Sequence, residues 1–136
     1  MPKSGGYKYI VFARDDLSGW VEGRALTAAN SKNVAKFLYE DVISRHGCPM
    51  KIVVDGGSEN KGFVEELLDC FRVRRIEISA YHPQSNGLVE RGHAPIVNSL
   101  SKYCSQNKKA WYQYLALALW ADRISVQRPT DRKSVV

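Results

Sequence analysis

The sequence has few cysteines and no long apolar run. Its three cysteines, Cys48, Cys70 and Cys104, are odd in number and widely spaced, which argues against a zinc site and a disulfide framework. A reducing compartment is therefore expected. No apolar run approaches the roughly 20 residues that a membrane-spanning helix needs, and the first six residues lack the apolar core of a secretory signal. We expect an intracellular protein that is neither secreted nor held in a membrane.

Length and charge further limit the class of protein that the sequence can encode. The 136 residues suffice for one domain, and their 44% apolar and 25% charged content is that of a globular protein. The formal net charge of +6 fits a polyanionic partner such as nucleic acid. A basic surface without a polyanionic partner would have the same composition, so charge alone leaves both readings open.

The order of apolar patterns indicates an α/β fold. The predicted elements are strands at 7–14 and 20–26, a helix capped by Ser31 and ended by Gly47 and Pro49, a strand at 51–54, a helix containing Phe63, Leu67 and Phe71, an edge strand at 74–79, a helix from Gly87, and a helix at 110–124. We divide the chain into a short loop at 1–6, a core at 7–124 and an irregular tail at 125–136.

Two carboxylates stand at the edges of these elements. Asp55 ends the strand at 51–54, and Glu90 lies 35 residues later, on the first turn of the helix that follows the polar loop at 81–86. Such carboxylates suit Mg²⁺, which prefers one or two protein carboxylates and completes its shell with water and phosphate. Each also has a plain structural reading, since Asp55 could be a turn residue and Glu90 an acid that favours a helix start.

The residues around these two acids resemble a known family. The stretches Val53 to Asn60 and Ser79 to Arg91 resemble the catalytic core of retroviral-type integrases. The stretches Arg14 to Glu22 and Leu119 to Arg123 resemble the gypsy-type LTR retrotransposon integrases of fungi in particular. Together these motifs extend the resemblance over nearly the whole chain.

The resemblance implies an RNase H-like fold and an Asp–Asp–Glu site that holds two divalent ions, Mg²⁺ or Mn²⁺. Two ions about 3.5–4 Å apart clamp the attacking and leaving oxygens of a phosphoryl transfer. Asp55 matches the second Asp of the family and Glu90 its Glu, so both are expected to be catalytic residues and metal ligands. The implied substrates are the ends of retroelement DNA and a target DNA, which implies a nuclear location.

The resemblance also assigns a substrate surface. It gives the polar loop to nucleic acid, and basic residues beside it can bind backbone phosphates. The predicted nucleic-acid-binding residues are Lys61, His82, Gln84, Ser85, Asn86 and Arg91. RNA is a further candidate partner beside DNA. Integrase cores pair through helices that carry aromatic residues such as Trp111 and Trp120, so a homodimer is also expected.

The first Asp of the family triad is carried onto no residue here. The family places it on a strand before the hairpin, and residues 1–4 match the loop after that strand. We therefore expect an integrase core that lacks its first central strand and is impaired in catalysis on its own. Two alternatives stay open. Asp15 or Asp16 could substitute for the missing acid, or the chain could be a non-catalytic nucleic-acid-binding remnant.

Overall fold

The computed structural model describes residues 5–78, 96–104 and 110–125. The elements are β1 (Tyr9–Arg14), β2 (Val21–Leu26), α1 (Ser31–Phe37), a π-helical segment (Leu38–Ile43), α2 (Ser44–His46), β3 (Lys51–Asp55), a 3₁₀ turn (Ser58–Asn60), α3 (Phe63–Cys70), β4 (Arg74–Ile78), helical residues 96–103 (α4) and α5 (Trp111–Ile124). The predicted order of strands and helices is confirmed over these ranges, and the polar loop at 81–86 lies outside them.

The first two strands form the predicted antiparallel hairpin. Tyr9 pairs with Leu26 at one end of the hairpin and Arg14 pairs with Val21 at the other. Successive β1 side chains alternate between two apolar clusters, because side chains of a strand point to opposite faces in turn. Phe12 packs against the cluster that contains α4 and α5, and Ala13 packs against the one that contains α1 and α3. The hairpin therefore carries helices on both faces.

The cap of the first helix is not the predicted one. Asn30 is the N-cap, and its side-chain oxygen accepts a hydrogen bond from the Asn33 N–H at 2.8 Å. Ser31 is the first helical residue instead. Its hydroxyl donates to the Lys61 carbonyl and accepts from the Val64 N–H at 3.2 Å. Ser31 thus connects the start of α1 to the start of α3.

Strands β3 and β4 form a second, parallel pair in which Lys51 is opposite Arg74 and Asp55 is opposite Ile78. Among the described residues this pair and the hairpin are two separate two-stranded sheets. They nevertheless share one core, because Ala13 of β1 and Ile52 and Val54 of β3 belong to a single buried cluster.

The third helix faces the core with residues other than those that predicted it. Phe63 is 56% exposed and Phe71 is 38% exposed, whereas Val64 and Leu68 are buried. Both sets recur at helical spacing, but Val64 and Leu68 lie on the face that meets α1 and β3. The larger aromatic side chains are left at the surface.

The last helix covers the other face of the hairpin. Leu115, Ala118 and Leu119 pack with Phe12 and Val21 in the second buried cluster. Trp111 is also buried, but Trp120 is 56% exposed, so the predicted apolar face is only partly a core face. None of the helices in the described ranges is long and apolar enough to span a membrane.

Candidate active site around Asp55

Asp55 is the last residue of β3, directly after three buried residues, and it is itself exposed. Its Oδ1 atom accepts two hydrogen bonds, from the Gly57 N–H at 3.0 Å and from Asn60 Nδ2 at 2.7 Å. No described residue donates to its Oδ2 atom. One carboxylate oxygen is therefore held by the protein, and the other is available to a ligand.

The loop after Asp55 is built by a short 3₁₀ turn. The Asn60 N–H donates to the Gly57 carbonyl at 3.1 Å, which closes the turn. Asn60 is only 5% exposed, and its carbonyl accepts a hydrogen bond from Arg75 Nε at 2.9 Å. The site is thus connected to β4, the strand that pairs with β3.

A second carboxylate and a lysine lie beside the same loop. A Cβ atom added to Gly56 would meet Glu77 Oε1 at 3.3 Å, so the glycine leaves room for this side chain. Glu77 Oε1 is 4.0 Å from Lys61 Nζ and 3.9 Å from Arg75 Nη2. Lys61, which was predicted to bind nucleic acid, is therefore close to the loop that follows Asp55.

The remaining predicted site residues are Glu90, His82, Gln84, Ser85, Asn86 and Arg91, and they lie outside the described residues. Sequence reasoning missed Asn60, Arg75 and Glu77. Asn60 appeared only as part of a motif, and no local signal marks an asparagine whose partners are supplied by the turn and by a neighbouring strand.

Asp15 does not join Asp55. It lines a cavity of about 260 Å³ with Pro49 and Ile52 at the start of β3, whereas Asp55 ends that strand. Asp55 lies three positions after Ile52 along the strand, which corresponds to about 10 Å. The Asp15 Oδ2 atom also accepts from the Ser18 N–H at 3.0 Å and from the Ser18 hydroxyl at 2.6 Å. Burial alone would raise the pKa of Asp15, but these hydrogen bonds outweigh it and lower that pKa. Asp15 is a turn residue.

The donor set at Asp55 suits a hard divalent cation, since its available atom is an exposed carboxylate oxygen. The described ranges contain no group of three or more His, Cys, Asp or Glu side chains that could hold a metal ion. Within those ranges Asp55 therefore does not belong to a group of three such ligands.

A different carboxylate, Glu22, is buried on the hairpin. Its oxygens contact Arg123 Nη2 at 2.8 Å, Arg45 Nη1 at 3.2 Å, His46 Nε2 at 2.9 Å and Trp20 Nε1 at 2.9 Å. Burial alone would raise the pKa of Glu22. The hydrogen bonds from His46 and Trp20 and the charges of Arg123 and Arg45 outweigh it, and together they lower that pKa. This cluster joins the hairpin to α2 and α5.

A second ion pair, between Arg14 and Asp122, also joins the hairpin to α5. Arg14 binds both carboxylate oxygens of Asp122, with Nη1–Oδ2 at 3.0 Å and Nη2–Oδ1 at 3.2 Å. The guanidinium carbon of Arg123 lies 4.8 Å from the centre of a Trp20 ring. The motif residues of the hairpin and of α5 thus contact one another. Both groups are distant in sequence from the loop after Asp55.

Known proteins resemble this chain in sequence. The chain is 34% identical over 125 residues to the Gag-Pol polyprotein of avian reticuloendotheliosis virus, covering 91% of this chain and 11% of that protein. It is 31% identical over 118 residues to the Retrovirus-related Pol polyprotein from transposon 412 of Drosophila melanogaster, covering 85% of this chain and 10% of that protein. No family model matches. The chain thus spans about a tenth of the length of these curated relatives.

Solved structures agree with the sequence relatives. The HTLV-2 integrase catalytic core domain in complex with magnesium superposes with a TM-score of 0.72 at 24% identity, over 97% of this chain and 86% of that one. The chain is therefore similar in sequence to Pol polyproteins of retroviruses and of a transposon, and its structural neighbours are retroviral integrase catalytic cores. Its fold is that of an integrase catalytic core, as predicted. The relatives include viruses and an insect transposon, so the narrower resemblance to fungal gypsy-type elements stays a prediction.

Proposed function

We propose that this chain is the catalytic core of a retroelement integrase, which joins DNA ends to a target DNA by metal-dependent phosphoryl transfer. The observation that carries the proposal is Asp55, which stands at the end of a buried strand with one carboxylate oxygen held by Gly57 and Asn60 and the other available. The likeness of the fold to integrase catalytic cores supports the interpretation of this carboxylate as a metal ligand.

Asp55 and Glu90 are the proposed metal ligands and catalytic residues. A bound Mg²⁺ or Mn²⁺ would supply Lewis-acid stabilisation of charge on the transferring phosphoryl group. The chain's own residues position the reactants, since phosphoryl transfer asks the protein mainly for orientation and charge neutralisation. In strand transfer a 3′-hydroxyl oxygen bonds to a target phosphorus while the bond from that phosphorus to its 3′ oxygen breaks. Lys61, His82, Gln84, Ser85, Asn86 and Arg91 are proposed to hold the DNA.

We also propose that catalysis is impaired in this chain on its own. A two-ion site in this family uses a third carboxylate, and Asp15 lies at the opposite end of β3 from Asp55. Glu77, a carboxylate beside the loop, lies within 4.0 Å of Lys61 and Arg75. The rate of strand transfer should therefore be low, yet it should depend on Asp55 and Glu90.

A strand-transfer assay tests this proposal. The purified chain is incubated with a DNA end carrying a free 3′-hydroxyl, a target duplex, and Mg²⁺ or Mn²⁺. We expect a weak metal-dependent product that disappears with Asp55→Asn and with Glu90→Gln. Asp69→Asn is the matched control, because Asp69 is an exposed carboxylate at the end of α3. A product that survives both site substitutions would refute the assignment.

A non-catalytic nucleic-acid-binding role is the second candidate, and a specific surface favours it. Lys51 and Arg74 are adjacent, exposed and opposite each other in the register of β3 and β4, and Arg72 is exposed just before them. None of the three forms an ion pair within the described ranges. If the assay yields no product while DNA binding weakens steeply with salt, this second role replaces the first. Binding to an RNA duplex of the same length would extend it to RNA.

The expected homodimer is likewise a proposal, and α5 supports it. Leu117, Trp120 and Ile124 recur at helical spacing and are 43%, 56% and 61% exposed. An apolar stripe of this kind suits a second copy of the same helix surface. Sedimentation equilibrium of the purified chain measures the state directly, and a monomer at high micromolar concentration would exclude the dimer. The nuclear location also stays a proposal, and imaging of a fluorescent fusion would test it.

A further inference from the structure

Asn60 has an unusual place for a loop asparagine. It ends the 3₁₀ turn, it is 5% exposed, and its side-chain amide reaches back to the strand end. Asn60 Nδ2 lies 2.7 Å from Asp55 Oδ1 and 3.5 Å from the Asp55 carbonyl oxygen. The shorter contact is to the functional carboxylate, so the amide does more than close the turn.

The direction of that contact determines which carboxylate oxygen is available. The Gly57 N–H and Asn60 Nδ2 both donate to Oδ1, at 3.0 Å and 2.7 Å. Two donors on one oxygen limit rotation of the carboxylate about its last side-chain bond, and within the described ranges no donor competes for Oδ2. The carboxylate therefore presents Oδ2 outward in a defined orientation before any ligand arrives.

Asn60 is itself held from the neighbouring strand. Arg75 Nε donates to the Asn60 carbonyl oxygen at 2.9 Å, and Arg75 is opposite Ile52 in the β3–β4 register. Within the described ranges this is the one hydrogen bond of the Arg75 side chain, which is 18% exposed. A partly buried arginine that donates to a loop carbonyl limits movement of the loop, and so the parallel strand pair helps to set the position of the Asn60 amide.

We propose that Asn60 is a positioning residue for Asp55, with Arg75 behind it, and that it pre-orients Oδ2 for a divalent cation. The inference rests on the proposed function, because it takes Asp55 to be a metal ligand. Groups that hydrogen-bond to a ligating carboxylate typically change metal affinity by about 10- to 100-fold when they are removed. The change in metal affinity should therefore be measurable in the absence of DNA and of catalytic turnover.

The test uses Mn²⁺ as the probe and follows paramagnetic broadening of backbone amide signals by NMR. In the unmodified chain, titration with Mn²⁺ should broaden the signals of Gly56 and Gly57, and Asp55→Asn should abolish that broadening. Asn60→Leu keeps a similar side-chain shape and removes the donor. We expect it to weaken the apparent Mn²⁺ affinity about tenfold. If the leucine variant does not fold, the apparent Mn²⁺ affinity is measured on Asn60→Ser instead.

The matched control is Asn33→Leu. Asn33 Nδ2 also donates one hydrogen bond, to the Ala28 carbonyl at 2.9 Å, but it has no contact with Asp55. Urea unfolding of the metal-free variants measures the loss of stability separately from the loss of affinity. If Mn²⁺ affinity follows Asn60 and not Asn33 at comparable stability, the positioning role is supported.

Two other outcomes overturn the inference, and they can be told apart. If the unmodified chain binds Mn²⁺ through Asp55 and Asn60→Leu changes the affinity by less than twofold, the positioning role is wrong and the proposed function is untouched. If Mn²⁺ broadens no signals in an Asp55-dependent way, the metal site itself fails, and the proposed function fails with it.

Discussion

Glu22 and Asp55 are carboxylates at strand ends of one molecule, but their surroundings differ completely. Glu22, at the start of β2, is 5% exposed and contacts four donors from three parts of the chain. Asp55, at the end of β3, is exposed and has two donors, both on one oxygen and both from the next five residues.

The difference separates structure from function. A carboxylate whose oxygens are both occupied by protein donors has no oxygen left for a ligand. Its hydrogen bonds and ion pairs therefore stabilise the packing of the elements that supply the donors. A carboxylate with one restrained and one available oxygen contributes little to stability and much to binding. The motif around Glu22 and Asp122 therefore explains how α5 is fixed to the hairpin, while the loop after Asp55 surrounds the proposed metal ligand.

Glu22→Gln should give the largest loss of stability. The substitution removes the negative charge and leaves Arg123, which is only 22% exposed, without its charge partner. Removing one member of a buried ion pair costs roughly 3–5 kcal/mol. Arg45 and His46 are more exposed and can turn to water, so we expect about 3 kcal/mol, at the lower end of that range. Urea unfolding followed by circular dichroism measures the change.

Glu40→Gln is the control for this substitution. Glu40 also pairs with an arginine, Arg24, at 2.9 Å, but its side chain is 42% exposed. Exposed pairs contribute about 0–1 kcal/mol, so the control should change little. If Glu22→Gln costs no more than Glu40→Gln, the cluster does not fix α5, and the contrast between the two regions disappears.

Lowering the pH should also reveal the structural role of Glu22, with a smaller change in the free energy of unfolding. The pKa of Glu22 is lowered in the folded protein from its ordinary value of 4.5. Its contribution to stability is therefore present above pH 4.5 and is lost as the pH falls from there through the folded pKa. One proton taken up on unfolding changes the free energy by at most about 1.4 kcal/mol per pH unit. Glu22→Gln should flatten this part of the stability profile.

The flattening should be partial, because the pKa of Asp15 is also lowered and its contribution is lost over a similar acid range. Unfolding free energies measured at several pH values between 3 and 6 would show it. Equal acid slopes for the unmodified chain and for Glu22→Gln would mean that Glu22 titrates alike in the folded and unfolded states.

Sequence alone predicted the elements better than their faces. The strand ending at Asp55 was evident from a run of buried β-branched residues, and the hairpin from two such runs around an Asp- and Gly-containing turn. Val64 was passed over because Phe63 is larger and recurs at the same spacing. Asn30 and Ser31 are adjacent and are both good N-caps. Only packing decides such cases.

The site shows the same limit. Asp55 was predictable because a strand end followed by two glycines places an acid at the edge of a sheet. The contribution of Asn60 was not predictable, since it depends on a 3₁₀ turn that brings its amide back to Asp55 and on Arg75 from another strand. The cluster around Glu22 was not predicted either, because its donors come from residues up to 101 positions away.

Asp55→Asn should have the smallest effect on stability. The asparagine oxygen can replace Oδ1 and accept from Gly57 and Asn60, and the new amide takes the place of Oδ2, which has no donor within the described ranges. We expect the free energy of unfolding to change by less than about 0.5 kcal/mol. The same chemical change at Asp122 removes an acceptor of Arg14, 3.0 Å from Oδ2, and should cost about 1.5–3 kcal/mol. Urea unfolding of the two variants compares the regions directly. A loss at Asp55 equal to that at Asp122 would show that the Asp55 carboxylate is itself part of the structural framework and would remove the distinction between the two sites.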